Sequence, residues 1–139
     1  VQPVYKSFYF YYDKLNKEPL SKWGRSMYNF TVMHRNMPVA KVWISDSHKE
    51  THVEKLIADS VFQPFGGDDL SLNRVYCFLK SRCYEDHRVD LQEILKSVGL
   101  KENNPWEWNK ITHGVTWEDE IWIRFEGEEL EWENVRWRR

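Results

Sequence analysis

The sequence predicts an α+β fold: a small single domain of antiparallel β-hairpins with three to four short helices. Three observations lead there. Two β-type runs flank a polar pair in "MYNFTVMHRNMPVAKVWIS", the alternating segment "EIWIRFEG" lies near the end, and between them several stretches repeat apolar residues at helical spacing. A chain of 139 residues suits one domain. With 41% hydrophobic and 30% charged residues, the composition is that of a folded globular protein rather than a disordered one. Eight Trp, seven Tyr and seven Phe exceed what so small a core comfortably holds, so some rings are expected on the surface.

Taken in order, "VYKSFYFYYDK" reads as a strand from Tyr5 to Tyr12 with rings on both faces, and "KLNKEPLSKWGRS" as a connection. Residues 1–26 are therefore expected to be an aromatic extension, and 27–139 a single α+β domain for which Met27 would be an older start. The runs Tyr28–His34 and Pro38–Ser45 make a hairpin across Arg35-Asn36. In the second run Ala40, Val42 and Ile44 form the apolar face, while Val39, Lys41 and Trp43 share the other. "DSHKETHVEKLIADSVF" predicts a helix capped by Asp46 or Ser47, with Val53, Leu56, Ile57 and Val61 inward.

Three further helices are expected. "DLSLNRVYCFLKSRC" turns Leu72, Val75, Tyr76 and Leu79 inward; "VDLQEILKSVGL" turns Leu91, Ile94, Leu95 and Val98 inward and stops at Gly99. "NPWEWNKITHG" opens with Asn104 as cap and Pro105 at the first helical position, and stops at Gly114. In the final strand Ile121, Ile123 and Phe125 face the core, which leaves Trp122 outward among carboxylates, with Trp117 in the preceding turn. "ELEWENVRWRR" reads as its hairpin partner: Leu130 and Trp132 are inward, and a bulge near Glu133-Asn134 absorbs the shift to Val135 and Trp137.

Charge narrows the function classes. The net charge of −2 gives no overall field for nucleic acid or an anionic membrane. Between Glu118 and Glu133, however, eight acids face only Arg124. Two cysteines do not make a disulfide framework, and there is neither a membrane-length apolar run nor a signal-peptide pattern, so a cytoplasmic location is expected.

Few residues form a candidate for chemistry. His48 and His52, four apart on the predicted helix, could pair on a metal with Cys77, Cys83 and His87; the commoner fate is solvated histidines and a buried Cys77. His113 with Glu118, Asp119 or Glu120 could do acid–base work, yet an exposed acidic hairpin supplies no pocket to shift a pKa. An imidazole ending a helix is the plainer reading. "FGGDD" lacks the lysine and hydroxyl of a phosphate loop. Arg82, His87, Arg88, Arg136, Arg138 and Arg139, with neighbouring rings, could track a nucleic acid, although such charges are more often a solvated face. Neither enzymatic activity nor a cofactor or metal is expected. The aromatic excess points to a protein interface made by Trp43, Trp117, Glu118, Asp119, Glu120, Trp122, Tyr9 and Tyr11, the acids steering a basic partner.

The hairpin, "LNRVYCFLKSRCYEDHRVDLQEILKSVGL" and "THGVTWEDEIWIRFEGEELEWENVR" together resemble the N-terminal, non-kinase region of HipA-like serine/threonine kinases of Firmicutes and their phages. Positions 81–82, 99–100, 112–114 and 119–123 carry the likeness, which spans about residues 27–136. Two departures stand out. No kinase domain follows, so no ATP-binding or catalytic residue is carried over, and Cys83-Tyr84 replaces the proline usual after the Ser-Arg pair. The resemblance implies a stand-alone module that packs on a separately encoded kinase, as an antitoxin-like or regulatory partner. The rival expectations are a phage or mobile-element inhibitor that uses the acidic face to block a nucleic-acid-binding effector, and a small nucleic-acid binder. A metal-dependent hydrolase centred on His48, His52 and His113 is the remaining rival.

Overall fold

The computed structural model describes residues 28–45 and 48–136. The predicted N-terminal strand with Tyr9 and Tyr11, and Trp137, Arg138 and Arg139, lie outside the described residues. Strands β1 (Phe30–His34), β2 (Met37–Ile44), β3 (Thr51–Lys55) and β4 (Ile121–Phe125) make an antiparallel sheet in the order β3-β2-β1-β4. Among the described residues four helices accompany it: α1 (Leu72–Ser81), α2 (Leu91–Ser97), α3 (Pro105–Thr112) and the single turn α4 (Trp132–Val135). This is the small α+β domain the sequence predicts.

The hairpin forms as expected, with His34 opposite Met37 across Arg35-Asn36. One detail differs. Val32 pairs with Ala40 but Met33 with Pro38, so Val39 is left over as a bulge. Strict alternation places Val39 beside Lys41 and Trp43; the bulge turns it into the core, where it is fully buried. Gln63, itself buried, donates from Nε2 to the Val39 carbonyl at 3.2 Å and to that of Ile57 at 3.1 Å. The irregular backbone thus keeps its hydrogen bonds.

Residues 48–61 are not a helix, and the expectation there is corrected. His48 has a left-handed φ of 55°, and Ser45 Oγ accepts from the amides of Lys49 and Glu50, which forms a tight turn. Thr51–Lys55 then pairs with β2, Val42 opposite Val53. Of the supposed apolar face only Val53 is buried, and Val61 is 88% exposed. The β-branched Thr51 and Val53 alternate with His52 and Glu54, and the ladder with β2 outweighs a helix that has only local bonds.

α1, α2 and α3 follow the expected boundaries. Ser71 caps α1, its Oγ accepting from the Arg74 amide at 3.2 Å, and Asn104 Oδ1 caps α3 through the Trp106 amide at 2.9 Å. α2 closes with Leu100 N donating to Leu95 O at 2.9 Å and Gly99 N to Lys96 O at 3.1 Å; Gly99 sits at φ 81°, which an L side chain resists. Tyr28, Phe30, Val42, Ile44, Ile123 and Phe125 cover one sheet face, packed against Val75, Phe78 and Leu79 of α1 and Phe65 of the preceding loop. A smaller cluster joins Leu91 and Leu95 of α2 to Trp108 of α3.

The end of the chain also departs from expectation. "WENV" is a helical turn, not a strand: Asn134 Oδ1 accepts from the Glu131 amide and Asn134 N donates to Glu131 O, both at 2.9 Å. Those local bonds satisfy the backbone without a partner strand, and Trp132 is only half-buried. Trp132 N donates to Asn36 Oδ1 at 2.8 Å, which brings this turn back to the tip of the first hairpin.

Candidate functional site

α1 delivers Arg82 at its C-terminal cap, and the Arg82 guanidinium gathers the backbone and side chains around it. Nε donates to Gly114 O at 2.7 Å; the two terminal nitrogens grip Asp119 at 2.8 and 2.7 Å; one also reaches Ile121 O at 2.8 Å. The arginine side chain is 7% exposed and that of Asp119 39%. A planar fork of fixed donors suits this arrangement, in which one side chain ties a carboxylate and two carbonyls. Burial pushes the Asp119 carboxyl up, but the hydrogen bonds and charge of Arg82, with the Ile121 amide, outweigh it and hold its pKa below the usual value. A side chain at Gly114 would be strained: its φ is 66°, and a Cβ would meet Asn109 Oδ1 and Ile123 Cδ1 at 3.1 Å each.

This clamp fixes the loop between α3 and β4, and the loop presents Trp117, 68% exposed. Trp117 stands at an open groove of about 1040 Å³ between the loop after α1, the end of α3 and the end of α4. Trp108, Thr112, Val115 and Val135 contribute its less polar lining, while Lys80, His87, Arg88 and Arg136 bring positive or protonatable groups. The Arg88 guanidinium lies over the Tyr84 ring, 4.6 Å from its centre.

The interface residues expected from sequence are thus sorted by the fold. Trp117 and Glu118 are exposed and share the groove. Asp119 holds Arg82, and Glu120 takes a bidentate pair from Arg35 at 2.6 and 3.1 Å, so the acidic run is largely engaged within the chain. Trp43 is half-buried on the other sheet face, 5.2 Å from the His52 ring, in a separate cleft. Trp122 is corrected outright. It is 0% exposed, lies opposite Met33, itself 1% exposed, and its indole N–H donates to Arg35 O at 2.6 Å. Alternation put it on the face away from the aliphatics as expected, but the sheet is closed on both sides at this point.

The histidines do not assemble a catalytic group. His48 lies 4.7 Å from the Trp106 ring and His52 beside Trp43, so the supposed pair is split. Among the described residues no group of three His, Cys, Asp or Glu side chains is placed to hold a metal. His113 is the C-cap of α3 at φ 57°, and its Nε2 meets Glu128 Oε2 at 2.9 Å and Oε1 at 3.1 Å rather than any acid of 118–120. Both side chains are sealed, 2% and 1% exposed, and the Phe125 amide donates to the same carboxylate at 2.7 Å. Glu128 is the residue that sequence reasoning missed; its only local sign is the turn at Gly127, φ 87°. The pair fastens α3 to the exit of β4 and offers no room to a substrate.

Cys83 borders the groove, but burial pushes its thiol up to about 11. It stays protonated near neutral pH and is a poor nucleophile. With iodoacetamide near pH 8, Cys77, which is exposed, is expected to alkylate at least about tenfold faster than Cys83, read by peptide mass mapping. Equal rates would show that the Cys83 thiol is not shielded.

Comparison of the chain with family models, with curated proteins and with solved structures gives no match. No helix among the described residues is long and apolar enough to cross a membrane.

Proposed function

We propose that this chain acts by protein–protein contact, as an antitoxin-like or regulatory partner of a HipA-like kinase. The observation that carries the contact reading is Trp117: a large ring held in water at the mouth of an open groove by a clamp of buried hydrogen bonds. Fixing the loop that carries the ring before binding reduces the backbone entropy lost when a partner covers it. The kinase partner rests on the resemblance at 81–82, 99–100, 112–114 and 119–123. The acidic-face inhibitor is the weaker reading, since Asp119 is held by the buried Arg82 guanidinium.

Trp117→Ala is expected to leave thermal unfolding within about 0.5 kcal/mol of the parent, because the ring buries little. The same change is expected to weaken binding to a HipA-like kinase core lacking this region by about 2 kcal/mol or more, measured by calorimetric titration. Unchanged affinity would remove the groove from the contact. Absence of any complex with the kinase core would remove the kinase.

A further inference from the structure

Cationic side chains gather in the lining of the groove beside Trp117. The whole sequence carries −2, yet the groove is lined by Lys80, Arg82, Arg88 and Arg136 against Glu85 and Glu118. Arg82 is consumed by its clamp. The other three cations are partly exposed, and each leans on a carboxylate outside the lining: Lys80 on Asp86, Arg88 on Asp90, Arg136 on Glu133. Exposed pairs of this kind are worth little, about 0–1 kcal/mol, so an incoming carboxylate can share or displace the resident one. The sequence separates Lys80 and Arg88 from Arg136 by roughly fifty positions, and only the return of α4 puts them on one rim.

The rest of the lining is less polar, with Thr112, Val115 and Val135 alongside the mostly buried Trp108. Apolar lining beside partly exposed cations fits a segment that carries carboxylates on either side of an apolar or aromatic side chain. Single-stranded nucleic acid is the other polyanion to weigh, and it wants successive open ring faces for its bases. Here one face of Tyr84 is taken by Arg88 and Trp108 is buried, which leaves the Trp117 indole and the smaller His87 imidazole exposed rather than a run of ring faces. The geometry therefore favours peptide over nucleic acid.

We infer that the groove between α1, α3 and α4 takes an acidic linear segment of a protein partner, its apolar side chain against Trp117 and Val115 and its carboxylates on Lys80, Arg88 and Arg136. This rests on the protein-contact reading above and names the chemistry of the partner. Glu118, exposed on the Trp117 side and without an ion pair among the described residues, limits how tightly such a segment is held.

The test is fluorescence anisotropy of a short labelled peptide alternating Glu and Leu around one Phe, with the full chain. A peptide with Lys in place of Glu and a single-stranded oligonucleotide serve as comparators. The acidic peptide is expected to bind and to weaken with salt. Trp117→Ala and Arg136→Glu are each expected to lose about tenfold in affinity, and Glu118→Lys to gain several-fold. All three positions are exposed, and circular dichroism of each variant confirms that the fold persists. No binding of the acidic peptide, equal binding of the lysine peptide, or tighter binding of the oligonucleotide would overturn the inference. The kinase-core titration separates the two levels. If Trp117→Ala abolishes that complex while Arg136→Glu and Glu118→Lys leave it unchanged, the contact surface stands and its acidic ligand falls.

Discussion

Replacing Trp122 by alanine is expected to cost about 3–5 kcal/mol of stability, the range for removing a large ring from a sealed site. Two terms add. The ring has no exposed surface and lies across from Met33, so its loss leaves a void beside Met33 on that sheet face, which the β1–β4 ladder keeps from closing. The Arg35 carbonyl also loses the indole N–H that meets it at 2.6 Å. That second loss is the smaller, since Arg35 is exposed and water can take the place of the donor. Trp122→Phe separates them: it retains most of the volume, drops the donor, and is expected to cost roughly 1–2 kcal/mol. Urea unfolding followed by circular dichroism reads both. A Trp122→Ala protein as stable as the parent would mean that the indole is not part of the core.

Arg82→Met is the second change with a large expected effect, about 3 kcal/mol. It leaves the Gly114 and Ile121 carbonyls without their donor and the Asp119 carboxylate without its counter-charge. The figure lies at the low end for breaking a buried ion pair because Asp119 is 39% exposed and water screens it. Arg82→Lys is expected to recover little, since an ammonium on a flexible stem cannot serve three acceptors in one plane. The pair also sets a direction with pH. The Asp119 carboxyl titrates below its usual value in the folded chain, so its contribution is present above the unfolded pKa of about 4 and is lost as pH falls through the lower, folded value. The difference in stability between the parent and Asp119→Asn should therefore shrink on acidification below about pH 4. A difference that stays constant from neutral pH to strongly acid conditions would rule out the clamp as its source.

How far the sequence announces this fold depends on whether the deciding interaction is local. Asn104 before Pro105, Ser71 three residues before Arg74, and Gly99 after Val98 all act on backbone within a few positions, and each does in the structure what its type predicts. β3 is different. "THVEK" matches helical spacing, and what makes it a strand is β2, a partner outside the window in which periodicity is read. The bulge at Val39 and the burial of Trp122 fail to show for the same reason, since both are set by neighbours across the sheet.

The candidate site divides along the same line. Trp117 reads as an exposed ring in a turn, and it is one. The acidic run reads as a free surface because Arg82 and Arg35, which occupy Asp119 and Glu120, stand 37 and 85 positions away. Gly114, Asp119 and Ile121, each more than thirty positions from Arg82, meet around its guanidinium. The end of α1 and the glycine turn after α3 are thus parts of a single structural joint.

Because β4 pairs with β1 rather than with its neighbours in the chain, Phe125 must find Phe30 across most of the polypeptide. A ribosome making this protein would release the first hairpin long before the strand that completes its sheet. In that interval β1 offers an open row of amides and carbonyls beside uncovered aromatic residues. Translation products that stop short of Ile121 should therefore be sticky and short-lived, whereas extending them through Phe125 should restore protease resistance.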